Sequence, residues 1–80
     1  MEIGQIVCSK AGSEKDSFFA VIAISGNYVY VSNGKRFKLA NPKKKNPKHL
    51  AKTGASLQME TILTDKSLRN ALAAYRNNTK

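Results

Sequence analysis

Between Ser17 and Ser25 the chain runs through Phe18, Phe19, Ala20, Val21, Ile22, Ala23 and Ile24 without a charged residue. Aromatic and β-branched side chains suit a pleated surface. Successive strand residues point to opposite faces. Both faces of this segment are apolar over much of its length, so it predicts a strand covered on both sides: a buried central strand or the wall of a barrel. Eighty residues leave room for one small domain. Such a chain buries only about 60% of the surface it exposes when unfolded, so the core must be small.

Shorter elements surround that strand. Gln5 to Ser9 reads as an apolar-rich strand closed by Lys10-Ala11-Gly12. Gly26-Asn27 turns the chain into Tyr28-Val29-Tyr30-Val31, with two tyrosines on one face and two valines on the other. Asn33-Gly34 is a hairpin signal, because both central residues of the preferred two-residue turn take positive φ. Arg36-Phe37-Lys38-Leu39 then alternates as a strand, with Phe37 and Leu39 toward the core and Arg36 and Lys38 toward water or a ligand. Asn41-Pro42 and Asn46-Pro47 bracket Lys43-Lys44-Lys45, and each proline biases its predecessor away from helix. That segment is expected to be extended or looped. Lys48 to Lys52 reads as a last short strand with Leu50 turned inward, and Gly54-Ala55-Ser56 as a linker.

The tail changes period. Leu68, Ala71, Leu72 and Tyr75 form one helical stripe. Thr64 suits the N-cap, and Asp65 suits the positive end of the helix dipole. Leu63 and Leu68 stand at staple spacing around that cap, and Asn77-Asn78 is expected to end the helix. A helix this short is marginal alone, so its stripe must pack on the strands or on a partner.

Charge is distributed as unevenly as hydrophobicity. From Ser17 to Met59 there is no Asp or Glu, and the carboxylates Glu2, Glu14, Asp16, Glu60 and Asp65 all lie outside that run. Within it stand Lys35, Arg36, Lys38, Lys43, Lys44, Lys45, Lys48 and Lys52, with the single histidine His49. The formal net charge is +9. Ordinary surfaces intersperse the two signs. A one-signed cluster repels itself and attracts polyanions, which makes nucleic acid the first partner to consider. Lysine ammoniums neutralise phosphates and release condensed counterions without reading sequence. Arginines are few, which argues against extensive bidentate reading in a DNA major groove. Structured RNA, met through its backbone and shape, fits better. The competing reading of Lys43-Lys44-Lys45 is a solvated surface run.

Other residues are weighed the same way. Tyr28 and Tyr30 are expected to cover a barrel or helix boundary, with base stacking as the alternative. Phe18, Phe19 and Phe37 are expected in the core. His49 either donates to phosphate, stacks on a base or is a half-exposed strand residue. Cys8, the only cysteine, permits no internal disulfide and reads as a small buried hydrophobe. Structural zinc wants four ligands, so no metal is expected, and no cofactor either. No catalytic constellation is visible: nothing orients a Cys8–His49 pair, and Glu14 and Asp16 flank a turn. A non-enzymatic protein is expected. No stretch approaches the ~20 apolar residues of a membrane span. Met1-Glu2-Ile3-Gly4 lacks the basic start and apolar region of a signal peptide, so a cytoplasmic location is expected.

Several of these residues together resemble a family. Gly4-Gln5-Ile6-Val7, then Ala11-Gly12 followed by Lys15, then Phe19 and Val21, resembles the start of a KOW motif. Asn33-Gly34-Lys35, Asn41-Pro42-Lys43-Lys44-Lys45 and Lys48-His49-Leu50 resemble one branch, the small bacterial KOW-domain RNA-binding proteins. Those are similar to the archaeal and eukaryotic large-subunit ribosomal protein of the fourteen-e family. The resemblance spans Gly4 to Thr53, and Thr64 to Tyr75 is similar to the helix that follows in the bacterial members. It implies a mainly β fold: a small SH3-like, KOW-type barrel of about five short strands with a C-terminal α-helix. The corresponding division is a barrel over 1–53, a linker over 54–63 and a helix over 64–77. It also implies binding to structured RNA, ribosomal RNA first. Asp16 stands where the pattern has glycine. Aspartate is among the few other residues that adopt positive φ, but beside Glu14 and Ser13 it makes the first loop less basic. The expected contact set is therefore Lys35, Arg36, Lys38, Lys43, Lys44, Lys45, Lys48 and His49, with Lys10 and Lys15 as second choices. The alternative is a protein-interaction adaptor of the translation or transcription machinery, docking a partner through the Leu68–Tyr75 stripe. Peripheral binding to an anionic membrane is a weaker rival.

Overall fold

The strand read first is the pivot of the fold. A computed structural model describes residues 1–10, 12 and 15–78. Its elements are β1 (Gln5–Ser9), β2 (Phe18–Ser25), β3 (Tyr28–Ser32), β4 (Lys43–Lys45), β5 (Leu50–Ser56) and α1 (Asp65–Asn78), with single 3-10 turns at Pro47–His49 and Met59–Thr61. The strands form one antiparallel sheet in the order β4-β3-β2-β1-β5. A four-strand meander is thus extended by a final strand that returns beside the first, leaving β4 and β5 as the edges of one open sheet, an order consistent with a small SH3-like barrel.

β2 is covered on both sides, as its composition demands. Phe19 and Val21 point inward and pack with Val7, Val29, Val31 and Leu50, and Phe37 leans on this inner core with its ring 5.8 Å from that of Phe19. Phe18, Ala20 and Ile22 point outward into a second core with Ile6, Leu68 and Leu72. The helix stripe therefore packs within the chain: Leu68 is fully buried, and Tyr75 meets Phe18 edge-on at 5.4 Å. After Val21 the β2–β3 register shifts, with Val21 opposite Val31 but Ala23 opposite Tyr30. Such a bulge re-aims the residues beyond it, here Ile24 and its neighbours at the far end of the barrel.

Thr64 caps α1. Its Oγ1 accepts the Ser67 N–H at 3.1 Å while Ser67 Oγ accepts the Thr64 N–H at 3.1 Å, a reciprocal box with serine in the acidic position. The expected Leu63–Leu68 staple does not form, since Leu63 is 81% exposed. The 3-10 turn before it brings Ile62 into the outer core instead.

Arg36–Leu39 is not a strand. The Asn33 carboxamide accepts the N–H groups of Lys35 and Phe37, at 2.9 and 3.1 Å. The Phe37 carbonyl takes the N–H groups of Asn33 and Gly34 and the Ser32 hydroxyl. The backbone groups a ladder would use are thus consumed inside the loop. Nor is Asn33-Gly34 a two-residue hairpin turn, for only Gly34 has positive φ there. The loop instead docks on the start of α1. Asp65 Oδ1 accepts the Leu39 N–H at 2.7 Å, and Arg69 Nη1 donates to the Gly34 carbonyl at 2.7 Å. Gly34 (φ 74°) lies so close that a Cβ would overlap the Asp65 carbonyl. The inward alternation survives in altered form: Phe37 reaches the inner core and Leu39 the outer one.

Three further expectations are corrected. Lys48 and His49 belong to the 3-10 turn, and the last strand starts at Leu50. Gly54-Ala55-Ser56 is not a linker but the end of β5, held by Gln5 opposite Ser56 and by Thr53 Oγ1 donating to the Ile6 carbonyl at 2.7 Å. The barrel therefore extends past residue 53, and Leu57, Met59 and Ile62 of the connection pack into the outer core. Cys8 is half-buried rather than buried, and burial, with Asp16 second, pushes its thiol pKa up. At Asp16 the expectation holds: its φ is 69°, and its N–H donates to the Ser9 carbonyl at 2.9 Å. Ser13 and Glu14 lie outside the described residues.

Candidate nucleic-acid interface

The three consecutive lysines form β4, at the edge of the sheet beside β3. Lys45 stands opposite Val29, Lys44 opposite Tyr30 and Lys43 opposite Val31. With a period of two, Lys44 shares the outer face with the tyrosines, while Lys43 and Lys45 share the valine face. Each face gives its lysine an aromatic floor. Lys44 Nζ lies 4.4 Å from the centre of the Tyr28 ring, and Lys43 Nζ lies 5.8 Å from that of Phe37. Arg36 approaches the same Phe37 ring at 5.9 Å. Ring faces attract cations, so each ammonium is held near its ring. Lysine on an edge strand also discourages pairing with another chain, so these residues serve the fold as well as any ligand.

The basic surface continues past β4. Asn46 Oδ1 accepts the Lys48 N–H at 3.0 Å and shapes the turn that leaves Lys48 and His49 exposed. The His49 carbonyl accepts the Lys10 N–H at 2.9 Å, which brings the end of β1 alongside. Arg36, Lys43, Lys44, Lys48, His49 and Lys10 thus succeed one another through shared rings, adjacent residues and one backbone bond, although they come from four different segments. Lys45 is half-buried in the same strand.

The other expected contacts, Lys35, Lys38 and Lys15, are not joined to this succession by the ring and backbone contacts above. Lys35 faces α1 across a cleft of about 160 Å³ that is also lined by Asp16, Asn33, Arg69 and Arg76. Lys38 and Lys15 are exposed, the latter beside Asp16 in the first loop. Asp16 puts a carboxylate in the Lys35 cleft, so this side is of mixed sign. Arg69 and Arg76 were missing from the contact set expected from sequence. Their signal was present: they are seven residues apart and each directly follows a stripe residue, Leu68 or Tyr75, so one helix face carries both.

Among the described residues no group of three or more His, Cys, Asp or Glu could hold a metal ion, and no helix is long and apolar enough to cross a membrane. No protein-family model matches the chain, and no curated protein matches it.

Proposed function

We propose that the chain is a non-enzymatic RNA-binding module that meets structured RNA through the β4 edge and the turn that follows it. The observation that carries this reading is the succession of Arg36, Lys43, Lys44, Lys48, His49 and Lys10 along one edge, with no acid in the sequence from Ser17 to Met59. Such a strip offers phosphates several ammoniums at once, and the gain in counterion entropy grows with the number neutralised. The SH3-like strand order agrees with the resemblance to KOW-domain proteins, which is the reason to put ribosomal RNA and the translation machinery first and the cytoplasm as the place.

The adaptor reading finds no comparable support, because the stripe it would use is buried against β1 and β2. The test is to change Lys43, Lys44 and Lys45 together to Ala and titrate the protein against structured RNA across a salt series. Weakened binding with a flatter salt dependence and an unchanged circular dichroism spectrum is expected. Unchanged affinity would remove β4 from the interface.

A further inference from the structure

At the far end of the barrel, beyond the β2 bulge, an open cleft of about 690 Å³ separates the β2–β3 turn from the turn after β4. Its volume lies within the ~300–1,000 Å³ usual for small-molecule sites. Ile24 and Tyr28 line it and expose 46% and 42% of their surface. Asn27, Asn46 and Lys48 supply its polar lining beside Met1, Val29 and Pro47, and among the described residues no carboxylate takes part. Lys48 lines the cleft, and the Lys44 ammonium lies 4.4 Å from the centre of the Tyr28 ring. Asn46 uses its Oδ1 on the Lys48 N–H, which leaves its Nδ2 as a donor. Apolar side chains, amide groups and nearby ammoniums match the parts of a nucleotide in turn.

We propose that this cleft takes one unpaired nucleobase of the bound RNA. The base stacks on Tyr28 and Ile24, Asn46 meets its hydrogen-bonding edge, and Lys44 and Lys48 hold the flanking phosphates. This rests on the RNA-binding reading and adds that contact includes a base as well as the backbone. A stacked base strengthens binding whatever its identity, since every base has a π-face.

Two fluorescent probes test it: a short unstructured oligouridylate, and the same strand with abasic residues throughout, equal in length and phosphate count. Wild type is expected to bind the first roughly 5- to 150-fold more tightly than the second. Tyr28→Leu should erase that difference without changing the salt slope, and Tyr28→Phe should retain it. Equal, salt-sensitive binding of both probes by wild type would overturn the base site while leaving backbone binding intact. Failure to bind either probe or a structured RNA would overturn both readings. If Tyr28→Leu leaves both probes unaffected but abolishes binding of an acidic peptide, the cleft is a protein-docking site and the assignment to a base is wrong.

Discussion

The wall made by β1, β2 and α1 and the edge made by β3 and β4 share the same inner core, yet only the first is covered outside. On the wall, the outward residues Ile6, Phe18 and Ala20 are apolar, and α1 covers them. On the edge, the outward residues are Tyr28, Tyr30 and Lys44, of which Tyr28 and Lys44 are exposed and Tyr30 is half-buried. The two regions also use cations differently. Arg69 on the wall side is tied to the Gly34 carbonyl and holds a loop in place. Lys43 and Lys44 on the edge are exposed residues whose ammoniums lie over rings. Guanidinium groups form directed hydrogen bonds, whereas ammoniums on flexible stems serve as adaptable point charges. The wall is where the fold is held together, and the edge is where it can be read by a partner.

This contrast can be broken most severely at Leu68. Leu68→Ala should cost about 2–5 kcal/mol through reduced burial and the cavity left behind, close to the whole stability of a marginal domain, ~5 kcal/mol. Urea unfolding measures it. A loss under ~1 kcal/mol would mean that α1 does not close the wall. Next comes the loop clamp. Gly34→Ala forces a side chain into positive φ and against the Asp65 carbonyl, at about 1–3 kcal/mol. Hydrogen exchange at the Leu39 amide, which Asp65 holds, should accelerate in the same variant.

The edge should respond in the opposite sense. Replacing Lys43, Lys44 and Lys45 by Ala should shift stability by no more than ~1 kcal/mol, since Lys43 and Lys44 are exposed and Lys45, though half-buried, stands on an edge strand. The log–log salt slope of RNA binding should flatten by about 2–3, at ~0.7–0.9 for each phosphate no longer neutralised. A large loss of stability with an unchanged slope would reverse the assignment of the two regions.

The smallest effect is expected at Cys8. Burial first, and Asp16 second, raise its pKa in the folded chain. The unfolded thiol therefore ionises first as pH rises, so the thiol's contribution to stability is full below the ordinary thiol range and declines through it. Alkaline denaturation curves of wild type and Cys8→Ala should diverge there, with wild type falling faster. Asp16→Asn should lessen the divergence by removing one of its two causes.

Much of the fold was legible. The double-sided apolar composition of Phe18–Ile24 foretold a covered strand, and the Leu68–Tyr75 spacing foretold a packed helix. Thr64 announced its own cap. What misled was local pattern standing in for hydrogen-bond supply. Arg36–Leu39 alternates like a strand, but Asn33 and Asp65 capture its N–H groups. Gly54-Ala55-Ser56 has the composition of a linker, but β1 offers it partners. The candidate interface was legible as a list of cations and illegible as a surface. Lys35 and Lys44, both in the acid-free run, end in different surroundings, Lys35 in the cleft against α1 and Lys44 over the Tyr28 ring. Arg69, outside that run, ends beside Lys35.

The sequence by itself determined which segments must be buried and that opposite charges would be segregated along the chain, because hydrophobic period and residue type are local properties. Only the tertiary structure decided which cations became neighbours, that the helix would cover one wall, and that a cleft would open beside Tyr28. Those outcomes depend on long-range pairing, chiefly β5 returning to β1 and Asp65 and Arg69 capturing the loop, which no stretch of neighbouring residues encodes alone.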